Sequence, residues 1–274
     1  MKLLKILFII IAAIILGYFY NFNQISIFRI RDIKISSKKI KNSLKITQIS
    51  DFHSNHLIDL GEMLDSIRKF NPDFIVLTGD IIDHNDKDLD TVIKLFKTLS
   101  QLNKDIYFVQ GNHEARQKLY EDLKNEMKKL KINILENSST TIIVKDQKIN
   151  LMGLKFYPKS REDEEIAYYR EATQSLDFDC YNILLRHSPN NIEDILNGEE
   201  DLILSGHTHG GQIRFPFVGA IVAPGQELFP KYDKGIYKIK DTNLYIDSGL
   251  GNSVKPIRAF NPVQFSNITI EVKK

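Results

Sequence analysis

The sequence reads KITQISDFH at residues 45–53 and FIVLTGD at residues 74–80. Each stretch begins with β-branched and apolar residues, which favour a strand, and ends in polar residues. Between them, residues 57–70 have the apolar spacing of an amphipathic helix, and the alternation continues with a helix at 86–102 and an apolar strand at 106–109. Alternating strands and helices predict a largely parallel sheet covered by helices.

The second half of the chain is richer in strands, with shorter predicted helices at 164–176 and 190–196. We predict strands at 141–144, 149–154, 181–185, 202–204, 236–239, 244–246 and 265–272. Two packed sheets flanked by helices account for both halves, and a three-layer doubly wound sheet is the alternative. No repeat or flexible linker interrupts residues 23–274, so we expect one domain there.

The amino-acid composition allows a globular protein with a large core and excludes several other classes. With 274 residues and 42% hydrophobic residues, the chain can bury a large core. Lys and Arg number 37 against 35 Asp and Glu, which is too balanced for non-specific nucleic-acid binding, so we expect no nucleic-acid partner. The single cysteine, Cys180, excludes an internal disulfide framework.

The N-terminus predicts a membrane anchor. Residues 3–20 read LLKILFIIIAAIILGYFY, apolar except for Lys5, and would span about 27 Å as a helix, close to the thickness of a bilayer core. No small-x-small cleavage site follows, so an uncleaved anchor over residues 1–22 is favoured over a signal peptide. Basic residues lie on both sides of this segment, so the side of the membrane that holds the remaining domain stays undecided.

Polar side chains of metal-ligand type follow five of the predicted strands. Each of these short polar stretches, taken alone, is typical of a turn or a helix cap. Ligand sites form at the carboxyl ends of such strands, however, so the fragments together predict one site. If the backbone stays extended there, side chains two residues apart point the same way. The candidate ligands are Asp51, His53, Asp80, Asn112, His187, His207 and His209.

This ligand set predicts two divalent metal ions. Imidazole, carboxylate and amide oxygen without a thiolate favour catalytic transition metals over structural zinc. One ion needs about three to six ligands, so the candidates suffice for two ions if one carboxylate bridges them. The ions remain open among manganese, zinc, iron and cobalt. His113 is left as a proton donor.

The motifs Asp51-x-His53, Gly79-Asp80-x-x-Asp83, Gly111-Asn112-His113-Glu114, His187 and Gly206-His207-x-His209 together resemble the calcineurin-like metallophosphoesterase superfamily. Residues 206–216, 229–232 and 249–251 are similar to its bacterial, N-terminally membrane-anchored subgroup. His84-Asn85 follows Asp83 where Ser/Thr phosphatases carry Arg-Gly, which disfavours that branch.

The resemblance implies a four-layer αββα sandwich of two mixed sheets, preceded here by the anchor helix. It implies Asp51, His53 and His209 on one metal, Asn112, His187 and His207 on the other, and Asp80 between them. It also implies His113 as the catalytic acid or a stabiliser of the transition state, oriented by Asp80.

The expected activity is dimetal-dependent hydrolysis of a phosphate ester by water activated between the ions. The anchor biases the substrate toward a phosphodiester or pyrophosphate that is lipid-linked or belongs to the cell envelope. The alternatives are a phosphomonoesterase and a non-catalytic metal-binding scaffold for a partner.

Several neighbouring residues have an open role. Arg214 and Arg258 either clamp a substrate phosphate or lie on the surface. His56 and His84 are interpreted as solvent-exposed neighbours of the motifs, Asp83 as a contact of a ligand or a helix cap, and Glu114 as a first-turn helix residue. Loops 157–165 and 215–229 are expected to build the substrate pocket.

Overall fold

The structure is a computed structural model that describes residues 1–174, 176–252 and 255–273. Within them the helices are α1 Lys2–Ser26, α2 Leu60–Phe70, α3 Asp90–Ser100, α4 Tyr120–Lys129, α5 Glu162–Thr173 and α6 Ile192–Ile195. The strands are β1 Arg29–Ser37, β2 Leu44–Ile49, β3 Phe74–Leu77, β4 Asp105–Phe108, β5 Asn133–Ile134, β6 Ser138–Val144, β7 Gln147–Leu154, β8 Tyr181–Arg186, β9 Leu202–Ser205, β10 Arg214–Phe215, β11 Gly219–Ala220, β12 Gly235–Ile239, β13 Thr242–Ile246 and β14 Gln264–Val272. The predicted helix at 164–176 includes residue 175, which lies outside the described residues.

Two mixed six-stranded sheets form the centre of the fold. The first has the order β1-β14-β2-β3-β4-β5, and the second has the order β12-β13-β9-β8-β7-β6. Strands β2 to β5 are parallel to one another, as are β7, β8, β9 and β13, while β14 runs antiparallel to β2. The carboxyl ends of the parallel strands therefore share one edge in each sheet.

Three buried apolar layers separate the four layers of structure. Phe74 and Val76 of β3 belong to the middle layer, between the two sheets, together with Leu204 of β9. Ile75 and Leu77 of β3 belong to the outer layer under helices α2, α3 and α4. Helices α5 and α6 cover the second sheet in the third layer. The four-layer sandwich is confirmed, and the three-layer alternative is wrong because one sheet packs on the other.

Helix α2, which covers the first sheet, begins and ends at recognisable caps. Asp59 accepts the backbone N–H groups of Gly61 and Glu62, both at 2.9 Å, so α2 begins three residues later than its apolar spacing predicts. Asn71 ends α2 in the left-handed conformation, and Pro72 follows. These caps set the direction in which the chain enters β3.

Helix α1 stands apart from this core. It is 25 residues long, its most apolar window has a mean hydropathy of 2.5, and none of that window is buried. Among the described residues it alone is long and apolar enough to cross a membrane. The helix continues past residue 22 to Ser26, and Ile25 in its last turn is buried against the domain.

Candidate metal centre

The seven predicted ligands meet where the two sheets bring their strand ends together. Strands β2, β3 and β4 of the first sheet lead into Asp51, Asp80 and Asn112, and β8 and β9 of the second lead into His187 and His207. Their side chains form two adjacent clusters of nitrogen and oxygen atoms, and in each cluster the ligand atoms of the histidines and carboxylates lie within 4.8 Å of one another.

The first cluster contains Asp51, His53 and His209. The Nε2 atoms of the two histidines are 3.3 Å apart, and His209 Nε2 is 3.6 Å from Asp51 Oδ1. Asp51 is held by two neighbours, because its carboxylate accepts the Ser50 hydroxyl at 2.5 Å and the His207 backbone N–H at 2.9 Å.

The second cluster contains Asp80, Asn112, His187 and His207. His187 Nε2 lies 3.1 Å from Asp80 Oδ2, 3.2 Å from Asn112 Oδ1 and 3.2 Å from His207 Nδ1. The same Asp80 oxygen is 3.8 Å from His53 Nε2 in the first cluster. Asp80 therefore stands between the two clusters.

The spacing of these donors fits divalent metals. Two ligand nitrogens 2.0–2.1 Å from a tetrahedral zinc ion are about 3.3 Å apart, which is the separation between the facing imidazole nitrogens. The side chains are also almost completely shielded from solvent. Imidazole nitrogens and carboxylate oxygens that face one another in a buried site are an arrangement that a cation stabilises.

The protonation states also suit metal binding. Burial lowers the pKa of His207 to about 3, helped by the positive charge of His187, and burial likewise lowers the pKa of His209 well below its usual range. Burial alone would raise the pKa of Asp80, but His187 and the other neighbouring histidines outweigh it and lower that pKa. Neutral imidazoles and an ionised carboxylate are the ligand forms that metals require.

The pKa of His187 is shifted in the opposite direction from those of His207 and His209. Burial lowers its pKa, but the carboxylates of Asp80 and Asp51 outweigh burial and raise the pKa to about 9. Its Nδ1 lies 2.8 Å from the carbonyl oxygen of Thr78, which fixes the ring with Nε2 toward the cluster.

The backbone that presents these ligands is strained rather than extended. Positive φ values occur at Asp51 (48°), His53 (44°), Asp80 (52°), His207 (72°) and His209 (50°). Side chains in this region of φ cost of order 1–3 kcal/mol each, and such residues cluster at functional sites. The backbone after β2 and β9 is therefore not extended, and tight turns bring the side chains together.

His113 lies beside both clusters. Its backbone N–H donates to Asp80 Oδ1 at 2.7 Å, its Nε2 is 4.0 Å from Asp80 Oδ2, and its Nδ1 is 3.3 Å from Asp83 Oδ2. Burial lowers the pKa of His113, but the Asp83 and Asp80 carboxylates outweigh it and raise the pKa. Asp80 thus holds the backbone of His113, whereas Asp83 faces the ring.

His84 and Asp83 extend this arrangement. His84 is exposed, as the sequence predicts, but its Nδ1 is 3.0 Å from His113 Nδ1, so His84 is also a direct neighbour of the candidate acid. Asp83 accepts the backbone N–H of Asn85 at 2.8 Å and lies 3.5 Å from His53 Nδ1. His56 is exposed.

Glu114 holds two motif loops together, a role that its predicted place in a first helical turn did not indicate. It begins a short 3-10 turn, and its buried carboxylate accepts the backbone N–H groups of Asp80 (2.8 Å), Ile81 (2.6 Å), Ile82 (3.3 Å) and Gly111 (2.8 Å). Burial raises the pKa of this carboxyl, and the N–H donors oppose that shift. Two motif loops are tied together by one side chain, and only its place directly after His113 signalled this role.

The two arginines have separate roles. Arg258 is buried beside the site, with its Nη2 3.4 Å from His209 Nδ1, and it donates to the carbonyl oxygens of Ser248 and Gly251 at 2.6 and 2.7 Å. Arg214 pairs with Asp233 at 2.7 Å. Both side chains hold loops near the metal centre in place, and Arg258 is buried rather than on the surface.

Two cavities open next to the clusters, and the predicted loops line them. A cleft of about 480 Å³ is lined by Asn112, His113 and His207 and by part of loop 157–165. A groove of about 530 Å³ has His209 in its wall and is lined by part of loop 215–229.

Comparison with known proteins agrees with this geometry. The family model for calcineurin-like phosphoesterases matches residues 44–211, which contain all seven candidate ligands. The chain belongs to the calcineurin-like phosphoesterase family.

Similar proteins occur in several bacteria. The metallophosphoesterase YkoQ of Bacillus subtilis (strain 168) is 30% identical over 244 residues, covering 83% of this chain and 87% of its own. YkuE of the same organism is 30% identical over 253 residues, covering 87% and 86%. Among solved structures, a dimetal phosphatase from Danio rerio aligns with 78% of this chain and 89% of its own at 12% identity and a TM-score of 0.46.

Proposed function

We propose that this chain is a membrane-tethered, dimetal-dependent hydrolase of phosphodiesters or pyrophosphates. The observation that supports this most strongly is the position of the Asp80 carboxylate between two clusters of buried ligands, with a histidine side chain 4.0 Å away. A purely structural metal site has no need of an unliganded imidazole beside it.

Each cluster would hold one ion. Asp51, His53 and His209 would bind the first, Asn112, His187 and His207 the second, and Asp80 both. Two such cations, when bound, would lower the pKa of a water molecule and neutralise charge on the phosphate ester.

His113 would protonate the leaving oxygen. Its Nε2 is turned toward Asp80, and the Asp83 carboxylate near Nδ1 favours the protonated ring. Proton donation of this kind contributes about 10²–10⁴-fold and matters most for leaving groups that are strong bases. The cleft lined by His113 and Asn112 gives a substrate access to this atom.

Helix α1 would tether the enzyme to a membrane. The helix is apolar, unburied and long enough to cross, and Tyr18, Phe19 and Tyr20 near its end are suited to the membrane interface. A tethered active site meets substrates at a surface, which favours phosphodiesters or pyrophosphates that are themselves lipid-linked.

The test is hydrolysis by the full chain in detergent, after removal of metals and re-addition of Mn²⁺ or Zn²⁺. We expect metal-dependent cleavage of bis-p-nitrophenyl phosphate and weaker cleavage of p-nitrophenyl phosphate. A strong preference for the monoester would identify a phosphomonoesterase instead, and metal binding without hydrolysis of any ester would favour the scaffold.

His113→Ala tests the acid, with His56→Ala as the matched histidine control in an exposed loop. We expect His113→Ala to keep its metals and to lose about 10²–10⁴-fold in turnover of methyl phosphodiesters, with a smaller loss for p-nitrophenyl esters. Equal losses on both esters, or a similar loss in His56→Ala, would contradict the role.

A further inference from the structure

A single residue, Asn261, connects the last turns of α1 to His209, a candidate metal ligand. Asn21 Oδ1 accepts the backbone N–H of Arg258 at 2.9 Å, and Gln24 Oε1 accepts that of Asn261 at 3.0 Å. The Asn261 side chain in turn donates to the backbone oxygen of His209 at 2.7 Å. These hydrogen bonds connect the end of α1 to the loop that carries His209.

An exposed apolar surface continues from the same end of α1. Phe260 packs against Tyr20 with ring centroids 5.9 Å apart, yet 63% of it is exposed, and Phe217 is fully exposed at the tip of the β10–β11 hairpin. A contiguous apolar surface of this kind marks a protein or membrane contact. We call it the apolar face; its members are Phe215, Phe217, Val218, Val222, Ile257 and Phe260.

The apolar face runs into the groove beside His209. Phe215 lines both that groove and a neighbouring depression that Phe217 and Phe260 also line. The walls of the groove are mostly apolar, including Val222 and Ile257. An apolar path thus leads from the end of α1 to the first cluster.

Lys255 provides a positive charge in the wall of this groove. A polar phosphate group and an attached hydrocarbon chain would therefore both find complementary surroundings there.

We propose that the apolar face rests on the bilayer around α1 and that the groove takes the hydrocarbon chain of a lipid phosphodiester from the adjoining leaflet. This inference rests on the proposed function. A bilayer is the occupant because Tyr20, at the interface end of the anchor, packs directly on Phe260 of the face. The phosphate of such a lipid would then reach the metal centre without leaving the membrane surface.

Docking can be measured without activity, because the chain contains no tryptophan. Phe217→Trp in the full chain gives one fluorophore on the apolar face, and Ile143→Trp gives a matched one on β6, where Ile143 is 74% exposed. In nanodiscs containing lipids with dibrominated acyl chains we expect about half or more of the Phe217→Trp emission to be quenched and no quenching for Ile143→Trp. No quenching, or equal quenching of both, would overturn the docking.

The groove is tested with methyl and n-octyl p-nitrophenyl phosphate, which share one reacting group. Each buried methylene contributes about fourfold, so we expect kcat/KM to be at least about tenfold higher for the octyl ester. Val222→Asp should abolish this preference, whereas Ile143→Asp, on β6 and outside the groove, should retain both the preference and the methyl-ester hydrolysis of the parent; both residues are exposed, so neither change removes core packing.

The outcomes separate this inference from the proposed function. Hydrolysis of the methyl ester without a chain-length preference overturns the groove alone, as does a preference that Val222→Asp keeps, which would reflect partition into the nanodisc. If the metal-loaded chain hydrolyses neither ester, the proposed function fails. Quenching of Val222→Trp by the brominated lipids then decides whether a chain enters the groove.

Discussion

Replacing Glu114 with glutamine should destabilise the whole domain. The Glu114 carboxylate accepts N–H groups with both oxygens, from Asp80 and Gly111 at one and from Ile81 and Ile82 at the other. Glutamine has one carbonyl oxygen and one NH₂ group. In Glu114→Gln, two backbone donors must therefore face another donor in a buried site.

The magnitude follows from those two lost bonds. Hydrogen bonds to a charged group contribute about 1.5–3 kcal/mol each, so the loss is about 3–6 kcal/mol in the free energy of unfolding. In a domain of this size that corresponds to a fall in Tm of roughly 6–24 °C. Asp80 moves with the loop, so metal binding should weaken as well.

Circular dichroism of the full chain in detergent, with and without Mn²⁺, measures both effects. Glu62→Gln is the matched control, since Glu62 is an exposed glutamate in the first turn of α2. A Tm for Glu114→Gln within about 2 °C of this control would refute the account of the carboxylate.

Three further predictions concern the site, its surroundings and its metals. A Cβ on Gly206 would overlap the Ser50 hydroxyl and the Asp51 carboxylate, so Gly206→Ala should raise the Kd for Mn²⁺ in calorimetry, and an unchanged Kd would contradict the packing. Burial, with added repulsion from Arg31, lowers the pKa of Lys234 to about 7. In the unfolded chain a lysine keeps its proton up to about pH 10, so between pH 7 and 10 the folded state binds fewer protons than the unfolded state. The free energy of unfolding should therefore rise from pH 7 toward 10. Lys234→Met should lack this contribution when Tm is followed from pH 7 to 9, and parallel profiles would argue against it. Chelation should lower the unfolding free energy by about 2.7–4.1 kcal/mol for each ion removed, relative to metal at 100–1,000 times its Kd, and an unchanged Tm on adding chelator would exclude stabilisation by metal.

Most of the fold could be predicted because its central strands are buried on both faces. In β3 the run Phe74–Leu77 is apolar throughout, since alternate side chains enter the layer between the sheets and the layer under the helices. The β10–β11 hairpin was not predicted, because its strands have two residues each and its apolar side chains face outward. Periodicity carries no signal at that length.

The candidate site was predictable in its members but not in its geometry. Strand ends identified Asp51 and His53, yet their convergence depends on positive φ values, and the general enrichment of Asp and His in that region does not say which residues adopt it. The contact of His84 with His113 and the bonds from Glu114 to the Asp80 loop depend on which loops become neighbours. That information resides in the packing of the sheets.

The central claim is that two separate clusters each hold one metal ion. Metal analysis of the full chain after loading with Mn²⁺ and gel filtration tests it most directly, with His209→Ala and His207→Ala each removing a ligand from one cluster. The account predicts about two ions per chain in the parent and about one in each variant. A parent with no more than one ion, or variants that both keep two, would contradict it.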